Sequence, residues 1–468
     1  MTKLTLQEQL IADRRHLHAH PEEGWCEFET TWFIVQRLKA LGLEWKAGID
    51  VIEPSAVMGR NADLVEKAKK RALEHGVPAD FLGHLGGYTG AMAVLNTGRP
   101  GPVTGIRVDI DCLPIEESND PAHEANAGNY RSVYPGFSHA CGHDGHTAIL
   151  LGAAKILNEH KDEIAGKIIL FFERAEENGG GMPQMLAYMD KHGITADTCY
   201  GTHLFAMLES GKVGLITGGT MSTAMGFNIT IHGKGGHGSR PDQANSPIDC
   251  FVAIYNALEA ARLTKITPFQ PLTLSVGLLQ AGAVSNVIPN DLTFAGTARL
   301  FDREEVGYPF KETLIKIVDG ICAAYGCTAT YNQLSDPAYP VYNDPECVEF
   351  ARKVVGAELG EDVIAQPEPW MASESFSRLQ KLMPGVFALV GVNNPEKGTG
   401  AAHHNEYFDI DEDTFKLAVT GAVSYALNFL ESDIDTSARK WKGTMHDFFK
   451  DMGYTDEMIE AVYKKIEA

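Results

Sequence analysis

No stretch of the chain approaches the roughly eighteen consecutive apolar residues that a membrane-crossing helix needs, so a transmembrane span is excluded. Basic residues are scarce. Lys and Arg number 40 against 62 Asp and Glu, a net charge of −22. Nucleic acids and anionic membranes are bound by a basic face, so neither is expected as a partner. A small anionic substrate is still allowed, because a pocket can be locally basic. The eight cysteines, at 26, 112, 141, 199, 250, 322, 327 and 347, form no C-x-x-C pair. The opening M-T-K-L-T-L-Q-E-Q-L-I-A-D-R-R-H has charges through its apolar positions and lacks the core of an export signal. The expectation is a cytoplasmic protein with reduced thiols. Internal repeats and low-complexity segments are also missing.

What is present gathers around Ser138–Leu151, S-H-A-C-G-H-D-G-H-T-A-I-L-L. Cys141 and His143 stand two apart, so a short loop can turn thiolate and imidazole toward one metal ion. The plainer alternative is a polar loop capping a helix Thr147–Glu159, with Asp144 or Thr147 as N-cap. Other ligand types recur at the ends of predicted strands. Pro102–Ile110 ends in D-I-D-C-L-P, with Asp109 and Asp111. Lys167–Phe172 runs into E-R-A-E-E-N-G-G-G, with Glu176 and Glu177. Thr198–Leu204 ends in G-T-H-L-F, with His203, and a late loop carries His403 and His404. Strand ends are where open α/β sheets place their crevice.

At 468 residues, two domains are expected. From about residue 221 the order strand–helix–strand–strand–helix–strand predicts a ferredoxin-like unit over 221–334, inserted into a larger α/β domain formed by 1–220 and 335–432. Phe227–His232 alternates like an exposed edge strand. Residues 61–75 read as a surface helix with Leu64, Ala68 and Ala72 on one face. Residues 433–468 read as a helical extension with Phe448, Phe449, Met458, Ile459 and Val462 on its apolar side. His16, His18 and His20 flank a helix end and are read as structural.

Five ligand-type side chains suffice for two ions sharing a bridge, about 3.5–4 Å apart. One of the adjacent pair Glu176 and Glu177 is then left to serve as a base. His237, on the glycine-rich G-K-G-G-H-G-S-R-P-D loop, is placed to donate to an oxyanion or is an ordinary loop histidine. Asn286 and Arg299 are a turn Asn and a strand Arg that suit a substrate carboxylate. Thiolate favours zinc, while carboxylate-rich sites also take manganese or cobalt.

These motifs, together with V-D-I-D-C-L-P, S-N-V-I-P and H-H-N-E-Y-F-D-I-D-E, resemble the metal-dependent aminoacylase/carboxypeptidase family. The branch holds auxin-conjugate, hippurate and p-aminobenzoyl-glutamate hydrolases, and the match runs from about residue 5 to 430. The stretch V-I-E-P-S-A-V-M-G-R with the 61–75 helix, and G-A-A-H-H-N-E-Y-F-D-I-D-E, are most similar to the A-type subunit of the last of these. The resemblance implies a large zinc-peptidase-like α/β domain with an inserted dimerisation lid. It implies two divalent ions per subunit, held by Cys141, His143, Glu177, His203 and His404. It makes Glu176 the general base and acid, Asp111 an orienting acid and His237 an oxyanion donor reaching across a homodimer. Asn286 and Arg299 would take the substrate carboxylate. The substrate would be an N-acyl amino acid, with p-aminobenzoyl-glutamate foremost. A broader aminoacylase or dipeptidase, or a non-catalytic subunit of a hetero-oligomer, are the rivals. Two departures stand out: Glu173-Arg174 where the family usually has Gln-Pro, and Glu374-Ser375 where it usually has Glu-Asp.

Overall fold

The computed structural model describes residues 4–53 and 59–463. Part of V-I-E-P-S-A-V-M-G-R, at 54–58, lies outside the described residues, as does the side chain of Val462.

Lys167–Glu173, K-I-I-L-F-F-E, buries six residues in a row. Such a run fits a sheet covered on both faces. It is one of four parallel strands, ordered Lys167–Glu173, Val103–Asp109, Thr198–Glu209, Gly385–Asn393, at the centre of an eight-stranded sheet. The helix His143–Glu159 joins the first two of these strands, and Gly181–Lys191 carries the chain back past them to the third. Right-handed crossovers in opposite directions put these helices on opposite faces. His143–Glu159 packs between Leu6–Ala19 and Phe415–Leu430.

The smaller sheet, in spatial order Leu272–Ala281, Asp291–Leu300, Thr223–His232, Thr328–Leu334, has the ferredoxin-like arrangement. Helices Pro247–Thr264 and Tyr308–Ala324 cover one of its faces. Thr223–His232 alternates buried and half-buried throughout, yet it is an inner strand rather than the expected edge. Its alternation comes from a sheet with one covered face, not from an open side.

Three further expectations shift. The helix begins at His143, not Thr147. Gly142, at φ +89°, turns the chain, and its carbonyl accepts the first helical bond from His146. Thr147 Oγ1 donates to the His143 carbonyl instead of capping. His203 lies within a strand rather than at its end. However, pairing with Val103–Asp109 stops at Gly201, so that side is free by residue 203. In Ala62–Glu74 the buried face is Val65, Ala68 and Ala72, while Leu64 is exposed. Arg71 ties this helix to Glu22 and Glu29 at 2.8 and 3.0 Å.

The C-terminal extension is woven into the molecule. Phe448 is buried against Tyr339, with ring centroids 5.7 Å apart. Asp451 accepts from Arg303 at 2.9 Å and from the Tyr339 hydroxyl. No helix among the described residues is long and apolar enough to cross a membrane.

Candidate metal centre

The site grows from the C-terminal ends of the parallel strands. Arg107, fully buried, donates to Glu173 (2.6 Å), Asp109 (2.9 Å) and Ser375 Oγ (2.8 Å), and lies 3.0 Å from Glu374. Ser375 Oγ donates on to Glu173 at 2.8 Å. Both departures from the family pattern at these positions therefore meet on one guanidinium.

Above this base lie the side chains the sequence singled out. Donor atoms of Cys141, His143 and His203 lie within 4.8 Å of one another. The same holds for Cys141, Glu177 and His404, and for His143, Glu176 and Glu177. His203 donates its Nδ1 proton to the Leu204 carbonyl (2.8 Å), which leaves a bare Nε2 3.6 Å from Cys141 Sγ. Glu177 Oε1 is 3.3 Å from His404 Nε2 and 3.7 Å from His143 Nε2. Asp111 accepts from the Glu177 N–H at 3.1 Å and lies 3.3 Å from His143 Nδ1.

Two nearby imidazoles are already committed. His146 Nδ1 donates to Asp109 at 2.6 Å, and its Nε2 accepts from the Leu204 N–H at 2.8 Å. His403 Nε2 accepts from the Ala206 N–H at 3.1 Å. His404 is the one whose nitrogen faces Glu177. Its backbone is in the left-handed region, φ +61°, as is Ala175, φ +51°, just before Glu176. Non-glycine residues held in that region are strained and cluster at functional sites.

Electrostatics favour a bound cation. Burial raises Glu176 well above the usual carboxylate range, and Glu374 and Glu177 add to this. Burial alone would lower His143, but Asp109 and Asp111 overcome it and carry it up to about 10. Burial pushes the Cys141 thiol far up, and Glu177 pushes further. Asp111 Oδ1, His143 Nδ1 and Glu177 Oε1 are buried and make no hydrogen bond of good geometry, although Asp111 Oδ1 and His143 Nδ1 face each other at 3.3 Å. Buried polar atoms are seldom left so. Thiol, imidazole and carboxylate donors that converge with unmet lone pairs fit divalent metal ions.

Two cavities flank Glu176 and Glu177. One, of about 480 Å³, is bordered by Cys141 and His203 and walled by Met207, Met221, Trp370 and Met371. The other, of about 330 Å³, is bordered by Thr223, Arg299, Tyr339, Ser373 and Arg378. Arg299 borders both. His237 and Asn286 do not line either cavity. They are brought together elsewhere, on a small ribbon where Val287 pairs with His237 and the Gly238 N–H donates to the Asn286 carbonyl. His18 is structural, held between Asp144 (2.7 Å) and Glu117 (2.8 Å).

Sequence reasoning assigned no role to Arg107, His146, Trp370 or Arg378. His146 stood inside a quoted motif, and Arg107 in the predicted strand Pro102–Ile110, one residue before V-D-I-D-C-L-P. Nothing in the sequence marked Trp370 or Arg378.

A model of peptidase family M20/M25/M40 matches residues 105–427. Thermostable carboxypeptidase 2 of Saccharolobus solfataricus is 32% identical over 425 residues, covering 90% of this chain and 95% of its own. N-acetyl-L-cysteine deacetylase of Bacillus subtilis is 34% identical over 408 residues, covering 87% and 85%. A solved Bacillus subtilis structure, described as a dinuclear metal-binding peptidase of the M20 family, is similar with a TM-score of 0.71. It is 28% identical, with 91% of this chain and 99% of that one covered.

Proposed function

The chain belongs to peptidase family M20/M25/M40, a family of metal-dependent hydrolases, and we propose that it cleaves the amide bond of N-acyl or N-aroyl amino acids. The leading substrate is p-aminobenzoyl-glutamate, giving p-aminobenzoate and glutamate. The observation that carries this reading is one half-buried carboxylate with raised proton affinity, Glu176, set beside converging metal-ligand atoms and bordering two cavities.

Cys141, His143, Glu177, His203 and His404 would hold two divalent ions, zinc or manganese, with cobalt also suited to these donors. Such ions supply Lewis acidity toward the amide carbonyl and lower the pKa of the attacking water. Glu176 takes the proton from water and delivers it to the leaving nitrogen. The Ser375 N–H, 2.9 Å from Glu176 Oε1, fixes the carboxylate for both transfers. Asp111 orients His143 and the Glu177 backbone. The cavity with Trp370 and the three methionines receives the acyl group, and Arg299 takes the α-carboxylate.

His237 and Asn286 act from a second copy of the chain. Residues 221–334 form the dimerisation lid, 1–220 and 335–432 the catalytic domain, and 433–468 an extension. Exposed Val252, Phe269, Leu278 and Leu279 on the lid support a homodimer formed there. The cytoplasm is the proposed location. A broader aminoacylase is the second reading, favoured by the 34% identity to a deacetylase of an N-acetyl amino acid.

The test is metal analysis of the purified chain with a hydrolysis panel spanning acyl groups and amino acids, p-aminobenzoyl-glutamate included. Fast release of p-aminobenzoate supports the leading reading, and even rates across the panel support the broader one. A metal-loaded chain inert on every member would remove both.

A further inference from the structure

One run of bases stands out in an acidic chain. S-A-R-K-W-K-G, at 437–443, sets three of them around a tryptophan, in the extension beyond the residues that the family model matches. Its side chains close a cavity of about 820 Å³. The other walls are Phe301, just past a strand of the smaller sheet, the returning segment at Tyr342, and the helix Phe376–Leu382. None of the metal-ligand candidates lines this space. Tyr339 and Ser377 do, and they also border the 330 Å³ cavity of the cleft, so the two spaces lie back to back across them.

The charges of the wall are not equally occupied. Arg303, Arg439 and Lys440 pair with acids that do not line it: Asp451 at 2.9 Å, Asp344 at 3.0 Å and Asp197 at 2.6 Å. Of the wall's own acids, Asp302 accepts from the N–H groups of Glu304 and Glu305, and Asp447 from the Thr444 N–H and hydroxyl. Glu304 is exposed, where water and salt screen it. Two ammonium groups are left. Lys442 donates to the Ser437 carbonyl. Lys381 lies over the rings of Tyr339 and Trp441, 5.1 and 5.5 Å from their centroids. Among the described residues no carboxylate is within ion-pair distance of either lysine. Lys381 acts on Asp451 only at longer range, and that acid is already held by Arg303 and Tyr339.

Small-molecule sites are concave, roughly 300–1,000 Å³ in volume, with aromatic walls and a few placed polar groups. This cavity has that form. Trp441 is half-buried and Tyr342 exposed, so ring surface is open to a ligand. We propose that the cavity is a second small-molecule site, for an aromatic carboxylate whose ring lies on Trp441 and Tyr342 and whose carboxylate meets Lys381. The ammonium supplies a charge-assisted hydrogen bond, and the rings add offset or edge-on contact. The assignment stands apart from the amide-hydrolase reading, since it uses none of the residues that reading invokes.

The test is calorimetric titration of the full, metal-loaded chain with 2-naphthoate and with its neutral isostere 2-naphthamide. The wild type is expected to bind the acid about tenfold more tightly than the amide. Lys381→Gln should weaken the acid by about tenfold and leave the amide unchanged. Trp441→Leu should weaken both. Arg299→Gln, a change in the cleft, should leave the acid at its wild-type affinity. No binding of either compound, equal affinity for the two, or unaltered binding of the acid in Lys381→Gln would each overturn the assignment. Loss of the acid in Arg299→Gln with retention in Lys381→Gln would place the ligand in the cleft and also overturn it. Lys381 is exposed, so its replacement spares the core and decides the matter even where Trp441→Leu fails to fold. A parallel titration with p-aminobenzoate, the acid the leading substrate would release, separates the sources. Binding tighter than that of 2-naphthoate identifies a product of the cleft, and weaker binding an aromatic acid from elsewhere.

Discussion

The larger sheet hides charge, whereas the smaller sheet shows apolar side chains to solvent. Around the first, Arg14, Arg107, Asp109, Asp144 and Glu173 are all buried. Around the second, Phe269 is 92% exposed, with Leu263, Val284 and Leu279 also outside. Buried charge is costly unless it is paired. Here most of it is paired internally, while at the cleft Asp111 Oδ1, His143 Nδ1 and Glu177 Oε1 make no hydrogen bond of good geometry. Contiguous exposed apolar surface marks an interaction site. The first region thus offers converging ligand atoms, and the second an exposed apolar surface.

The sharpest way to test the buried side of this contrast is Glu176→Gln. It should lower kcat by about 10³-fold while metal content, measured by elemental analysis, stays at the wild-type level. Full turnover with full metal would remove Glu176 from the chemistry. Next in size is a pH effect at His18, which Asp144 and Glu117 hold. Burial and Arg14 would lower His18, but Asp144 and Glu117 raise it to about 9 from 6.5. A raised folded-state value stabilises below 6.5, and that contribution is lost as the pH rises through about 9. It amounts to about 3 kcal/mol in full. Melting temperature should fall across this window in the wild type, and His18→Gln should flatten the decline.

A third test uses the pair at Arg107. Glu173→Gln should cost about 2 kcal/mol in denaturant unfolding, since it weakens a buried charge-assisted bond. Ser375→Asp should be destabilising alone, because it adds a carboxylate beside Glu173 and Glu374. Together they should cost less than the sum, since one acid and one neutral partner are restored around Arg107. Additive losses would show that the two positions are not coupled. The smallest effect belongs to the exposed side. Leu279→Asp should weaken self-association by about tenfold, read by light scattering over a concentration series. An unaltered dimer would place the interface elsewhere.

Much of the site was legible because ligand-type side chains recur at strand ends, and strand ends converge in this kind of sheet. The choice between His403 and His404 was not legible from the residues alone. In the structure the Ala206 N–H occupies Nε2 of His403, while Nε2 of His404 faces Glu177. His146 shared a motif with His143 but is spent on Asp109 and Leu204. Glu173 and Ser375 each looked like a defect when taken singly. They make sense only as neighbours on Arg107, far apart in sequence and adjacent in space. The inner position of Thr223–His232 was missed for a similar reason. Alternation reports how many faces are covered, and says nothing about how many strands flank it.

Asp451 holds Arg303, next to the smaller sheet, and Tyr339, where the chain returns to the larger one. Phe448 stacks on the same tyrosine. Protein shortened to residue 432, however convenient for crystallisation or labelling, would lose the buckle between its two halves. Its kinetics would then describe a looser machine than the native one.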